Sequence, residues 1–269
     1  MRDGRRIALA AGAVMLGALG LGAIGLPWLV GTGAYAVDLS ARLEPPDTAH
    51  VFGRDALGRD LLGRLCLGAR TSLGIAAAAV GLSMAFGTAV GALAGWRGGW
   101  VDALVARVID VVLAFPGLLL AIALAAVLGP SAQNVVLALA AMGWTGYARL
   151  ARAQVAATKR RDFVDAARAL GRSDASIVRE HVLPAAFPLL LVQATFGLSG
   201  AIVAEASLSF LGLGAPPPTP SWGGMLDEGR LFMLVAPHAI LVPALALATT
   251  VLALQLVGDG LRDLLELDR

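Results

Sequence analysis

Several groups of residues in this chain could do chemistry, and each implies a different kind of protein. Gly197-Leu198-Ser199-Gly200 presents a hydroxyl between small residues, and His238 opens the next apolar stretch. A serine nucleophile needs a base within hydrogen-bond reach, so this pair would make an intramembrane serine protease. Glycine and serine at that spacing are equally the ordinary packing residues of membrane helices. Asp110 and Glu205 are the carboxylates nearest to long apolar runs, where an acid marks a solute pathway or gate by default. Arg107 precedes Asp110 by three residues, the spacing of a helical ion pair. His50, His181 and His238 have no metal-ligand spacing, so no metal site is expected. The single lysine, Lys159, is followed by Arg160. That excludes the Gly-x-x-x-x-Gly-Lys-Ser/Thr loop whose lysine reaches nucleotide phosphates.

Whatever these residues do, long apolar stretches must position them. Of 269 residues 58% are hydrophobic and 15% charged, and the mean hydropathy is +0.77; a soluble domain carries roughly 25% charge. This composition excludes a water-soluble globule, and its low charge excludes disorder. Crossing a bilayer takes about 20 apolar helical residues. The sequence predicts an all-α membrane protein, one domain over 1–269, with spans at about 7–30, 71–96, 107–128, 132–150, 185–211 and 236–257. The first is longer than the apolar core of a signal peptide. The block from Val111 to Ala148 would reach about 57 Å as one helix, so Gly129-Pro130-Ser131 is taken as a turn between two spans. Gly87, Gly91 and Gly95 recur every four residues, a smooth stripe that lets another helix approach closely. Cys66, alone, forbids an intrachain disulfide.

Six spans put both termini on one side, and basic residues decide which, because short cytoplasmic loops are rich in Lys and Arg. With the termini cytoplasmic, 15 of the 21 basic residues lie inside. Outer loops are then 31–70 and 212–235. Leu57, Leu61, Leu62 and Leu65 oppose Arg59, Asp60 and Arg64, which predicts a helix over 56–70 lying flat at the outer surface. Pro216, Pro217, Pro218 and Pro220 predict an extended ledge.

The inner loop, 151–184, reads as two short helices. The first runs through Phe163 and Leu170 and stops at Gly171, a residue that tolerates positive φ. The second starts at the N-cap Ser173, with Asp174 in its first turn, and runs to Pro184. Phe163, Ala166, Ala167 and Leu170 share one face by spacing. Spacing alone leaves two readings: a docking surface, or an amphipathic segment resting on anionic lipid.

Asp165-Ala166-Ala167, Gly171 and Leu183-Pro184 resemble the EAA-loop signature of permease subunits of bacterial ABC importers, with Asp165 where glutamate is usual and His181 where isoleucine is frequent. The C-type permeases of the dipeptide, oligopeptide and nickel importers resemble this chain more closely still. Phe52-Gly53-Arg54-Asp55-Ala56-Leu57-Gly58-Arg59-Asp60, the run Glu205 to Gly214 with Trp222-Gly223, and Gly258-Asp259-Gly260-Leu261-Arg262-Asp263 carry that likeness.

The resemblance implies a type I permease fold whose cytoplasmic coupling helices seat on an ATPase subunit. It gives that role to Phe163, Asp165, Ala166, Ala167, Arg168, Leu170, Gly171, Ser173, Asp174, Leu183 and Pro184. It further implies a second homologous permease, two ATPase domains on separate or fused chains, an extracytoplasmic solute-binding protein, and the inner membrane's lipid bilayer. ATP and Mg would sit on those partners. No cofactor on this chain, no nucleic acid and no bond chemistry are expected. The implied cargo is a short peptide, with nickel or another small solute as alternatives. A rhomboid-like protease would show Gly-x-x-x-Gly after its histidine, and His238 is not followed by one. An ion-coupled secondary transporter would show internal repeats, and none is visible.

Overall fold

A computed structural model describes residues 9–18, 20–22, 25 and 34–267. The expected first span, 7–30, falls partly outside them; its described residues, 9–18, 20–22 and 25, are helical. Among the described residues the chain is helical, with one isolated antiparallel bridge between Arg54 and Asp60.

Helix α1, Leu61–Arg97, begins where the Asp60 carboxylate accepts the Gly63 N–H at 2.7 Å and ends at Gly98, φ 70°. At 37 residues it is about 56 Å long. This corrects the flat outer helix over 56–70, because residues 61–70 are the first turns of the span itself. Leu61 and Ala69 are buried against Trp222 and Met225, so the apolar side that was assigned to lipid faces protein instead.

The apolar run 107–128 is not one helix. Helices α2, Gly99–Leu113, and α3, Gly117–Leu128, meet at 82°. Pro116 stands at the corner; it has no N–H to donate and disfavours helical geometry at Phe115. Gly129, φ 86°, closes α3, and the Ser131 hydroxyl accepts the Gln133 N–H to open α4, Ala132–Thr158. Helix α5, Asp162–Ala169, follows.

A second correction concerns the inner loop. Helix α6, Asp174–Ile177, passes through a π turn, Val178–Val182, into α7, Leu183–Phe210, as one 37-residue element. Pro184 does not end it. The Leu183 N–H reaches back five residues to the Val178 carbonyl, and in this wider turn the missing proline donor leaves no ladder bond to lose. Helix α8, Trp222–Arg230, is capped by Ser221, and α9, His238–Leu267, runs ten residues past the expected end of its span. Between α7 and α8 the expected ledge turns, with the Thr219 N–H on the Pro216 carbonyl at 3.2 Å.

By length and apolarity α1, the 174–210 element and α9 can each cross a membrane, whereas α2 and α3 reach that length only as a pair broken at 82°. The 27-residue α4 is long enough but polar at both ends. It lies against the glycine stripe of α1: a Cβ on Gly95 would stand 2.5 Å from the Arg152 carbonyl oxygen, and those on Gly87 and Gly91 closer still to the carbonyls of Trp144 and Ala148. Lipid is as apolar as the helices, so such close contact replaces hydrophobic burial as the force holding them. Ile75, Ala79, Ala121, Ala125, Val135, Ala138 and Leu208 form the core where α1, α3, α4 and α7 converge. Ala76, Ile202 and Leu254 attach α9.

Candidate functional site

The inner hairpin is built from its turn outward. Gly171 has φ 79°, and the Arg172 N–H bonds the Ala167 carbonyl five residues back, so α5 ends in a Schellman motif. Ser173 then accepts the Ser176 N–H at 3.3 Å and starts α6. Val164, Ile177 and Val182 are fully buried and pack on Ala92 of α1 and Val155 of α4. The side of α5 that the sequence singled out faces away: Phe163, Ala166 and Leu170 are exposed, Leu170 by 85%, and only Ala167 is half-buried. Phe163 stacks on His181 with ring centroids 6.2 Å apart.

Trp96, at the inner end of α1, is the hub beneath this hairpin. Its indole Nε1–H donates to Asp174 Oδ2 at 3.1 Å, and the guanidinium of Arg168 lies 5.2 Å from its ring centroid. Lys159 covers the ring from another side at 5.5 Å and donates to the Trp96 carbonyl. Arg168 also binds Asp174 at 3.3 Å and approaches Asp165 at 3.5 Å. A movement of the hairpin is therefore tied to the end of α1. Leu183, half-buried against the Val164 cluster, and Pro184, exposed, form the joint into α7.

At the opposite end, loop 38–60 and α8 make a charged cap. Asp55 is buried and accepts Arg59 Nε at 2.6 Å; Arg59 and Arg64 both donate to Glu228 at 2.9 Å. Arg64 is only 2% exposed. Asp60 also meets His50 Nδ1 at 3.0 Å, and Arg54 Nη2 lies 2.8 Å from His50 Nε2. The Ser40 hydroxyl on Asp38 and the His50 and Ala49 N–H groups on Asp47 hold these two exposed carboxylates below the usual range. Trp222 locks the cap to α1: its N–H donates to Ser72 Oγ at 3.1 Å and its indole to the Leu65 carbonyl at 3.0 Å.

The two acids expected as pathway or gate residues part company. Glu205 is 0% exposed, accepting from Ser209 Oγ at 2.7 Å, inside the bundle under the cap. Asp110 is exposed on α2, and no ion pair joins it to Arg107; α4 supplies Arg152, which instead grips Asp102 through two bonds. Ser199 donates to the Thr195 carbonyl at 3.4 Å, while His238 reaches the Arg54 carbonyl at 3.2 Å. Serine and histidine are thus bonded to different partners. Among the described residues no group of three or more His, Cys, Asp or Glu could hold a metal ion.

Residues 87–268, from the glycine stripe through the hairpin to the end of α9, match the model of the binding-protein-dependent transport system inner membrane component. The chain belongs to that family. Similar relatives are the dipeptide transport system permease protein of Alkalihalophilus pseudofirmus, 41% identical over 89% of this chain and 79% of the relative, and the glutathione transport system permease protein of Escherichia coli, 48% identical over 82% and 73%. Its fold is also that of the inward-facing MetNI methionine ABC transporter, with TM-score 0.58 at 19% identity, over 71% of this chain and 91% of that one. This transport permease is an ABC importer subunit, multi-pass in the inner membrane.

Two elements of the permease escaped sequence reasoning. Val164 lies between Phe163 and Asp165 and off the face shared by Phe163, Ala166, Ala167 and Leu170, so its burial is invisible to a pattern that favours that face. Trp96 did carry a signal, an aromatic at the boundary of an apolar stretch next to Arg97, the place where membrane proteins anchor their helix ends.

Proposed function

We propose that this permease forms, with a second homologous permease, the path by which short peptides delivered by an external binding protein enter the cell. Support for the peptide class comes from relatives named for dipeptide and glutathione transport. Two ATPase domains, carrying the ATP and Mg, dock on residues 162–182. The observation that carries this reading is the divided hairpin: one side is clamped onto α1 and α4 by Val164, Ile177 and Val182, and the other offers Phe163, Ala166 and Leu170 to a partner.

The mechanism follows from that connection. ATPase closure displaces the hairpin; Trp96 and the continuous 174–210 element carry the displacement into α1 and α7, and the path alternates between its two faces. Such coupling requires an element with two stable positions that both partners bias. The permease itself makes and breaks no bonds, and its termini lie on the ATPase side together with the basic inner residues.

Purification from its native membrane in mild detergent tests the reading: the expected result is co-purification of an ATPase and a second permease. Gly171→Val tests the hairpin separately. A Cβ at Gly171 meets nothing within 4 Å, so the change acts through φ alone, at a cost of about 1–2 kcal/mol. ATP hydrolysis is expected to uncouple from uptake while insertion stays normal. Undiminished uptake would refute the proposed turn's role.

A further inference from the structure

Two cavities in the bundle share a lining residue, Gln193. The upper one, about 310 Å³, lies between α1, α3, α4 and α7 and includes Ser83, Tyr147, Gln193 and Gly197. The lower one, about 1000 Å³, lies toward the inner end and includes Gln193, Arg149, Arg152, Lys159 and Arg160. Pockets that hold small molecules span roughly 300–1000 Å³.

Their chemistry differs in a directed way. The upper cavity is apolar apart from a few neutral polar groups. Tyr147 is 3% exposed and its hydroxyl has no hydrogen-bond partner. A buried hydroxyl left without a partner is costly, which points to a polar occupant. Gln193 is half-buried where the cavities join, and its side-chain amide bonds to none of the described residues. The lower cavity carries four cations. The carboxylates facing them are Asp102, already bound to Arg152, and Asp110, which acts on Arg152 from further along α2. Arg149 and Arg160 are exposed and in no ion pair among the described residues.

We propose that these joined cavities are this chain's share of the solute path, and that the inner basin draws the solute onward by its carboxylate. The proposal rests on the importer reading and deepens it by naming the lining residues and the charged group they act on. Tyr147 and Gln193 offer neutral hydrogen bonds along the narrow part, so the solute is handed over without being trapped. Arg149 and Arg160, unpaired, then supply the favourable field at the exit. A cleft lined by one sign of charge raises the local concentration of opposite ions, and with it their reaction rates, by a factor of ten or more.

The test uses the assembled importer in vesicles, with Cys66→Ser to remove the native thiol and Gln193→Cys as reporter. Ala201→Cys, on the α7 lining of the upper cavity, is the second reporter should the first fail to assemble. Thiosulfonate reagents of similar size, one bearing a sulfonate and one a trimethylammonium group, are added in turn from each side. The expected result is modification with the sulfonate reagent about tenfold faster, and loss of that preference in an Arg149→Gln, Arg160→Gln background. Vesicles of zwitterionic lipid, compared with vesicles containing anionic lipid, separate solute attraction from lipid binding. A preference present in the first and erased in the second, after both rates are normalised to those of a surface cysteine that reports the vesicle's own potential, means the basin is a lipid headgroup site and overturns the proposal. Equal rates for the two reagents, or no modification at either position, also overturn it. Because the reporters need no knowledge of the cargo, failure here with intact ATP-driven peptide uptake in the parent leaves the importer reading standing. Absence of uptake and of co-purifying ATPase would refute that reading instead.

Discussion

The outer cap and the inner hairpin are both charged, and they use charge in opposite ways. In the cap, Asp55, Arg59, Arg64 and Glu228 are paired with one another, three of them buried, so the charges close the structure on itself. In the hairpin, Asp165, Arg168, Asp174 and Arg172 lie at the surface, and three apolar side chains do the anchoring. Exposed pairs of this kind contribute little to stability, whereas breaking a buried pair strands a charge. The cap is therefore a fixed part of the fold and the hairpin a mounted tool. Helix α1 joins them, with Arg64 at one end and Trp96 about 48 Å away at the other.

The contrast can be broken most severely at the cap. Arg64→Ala leaves Asp55 and Glu228 short of a partner and is expected to cost about 3–5 kcal/mol, read as a lower unfolding temperature in detergent. A loss as small as that of a surface pair would erase the distinction between the two ends. Next in size is the helix that connects them. Gly91→Ala forces α1 and α4 apart, because the added Cβ meets the Ala148 backbone, which has no side-chain freedom to yield. Overpacking of this kind costs about 1–3 kcal/mol, and thermal unfolding should show the loss together with slower uptake.

Within the hairpin, two changes sharpen the comparison. Val164→Ala removes two buried methyl groups, a loss of about 2 kcal/mol with the cavity left behind; faster hydrogen exchange confined to residues 162–182 would report it. Leu170→Ser, on the exposed side, should shift stability by no more than about 0.5 kcal/mol while lowering the amount of ATPase retained on purification. If Leu170→Ser instead unfolds the hairpin and keeps the ATPase, the assignment of its two sides is reversed.

Much of this could be read along the chain because it rests on neighbours in sequence. Gly171 and Ser173 set the hairpin's turn through bonds no longer than five residues, and Gly129, Pro130 and Ser131 end one helix and cap the next in the same local way. Gly87, Gly91 and Gly95 declared a close approach without saying to what. The misreadings have different causes. Leu61 and Leu65 read as part of a helix lying at the surface because a membrane surface and Trp222 present the same apolar environment to a leucine. Pro184 reads as a stop because the π turn before it is a cooperative feature of the joined 174–210 element. Pro116, by contrast, was a local signal for the 82° corner that the apolar run around it concealed.

Composition and short-range chemistry thus determined that the chain is a helical membrane protein and where most of its polar turns lie. Packing alone decided which side of each helix is buried, that Glu205 is enclosed while Asp110 is exposed, and that the cavities lined by Tyr147 and by Arg149 both reach Gln193. The reason is physical. A hydrogen-bonded turn is specified by a few adjacent residues, but the rotation of a uniformly apolar helix is specified only by the surfaces it meets.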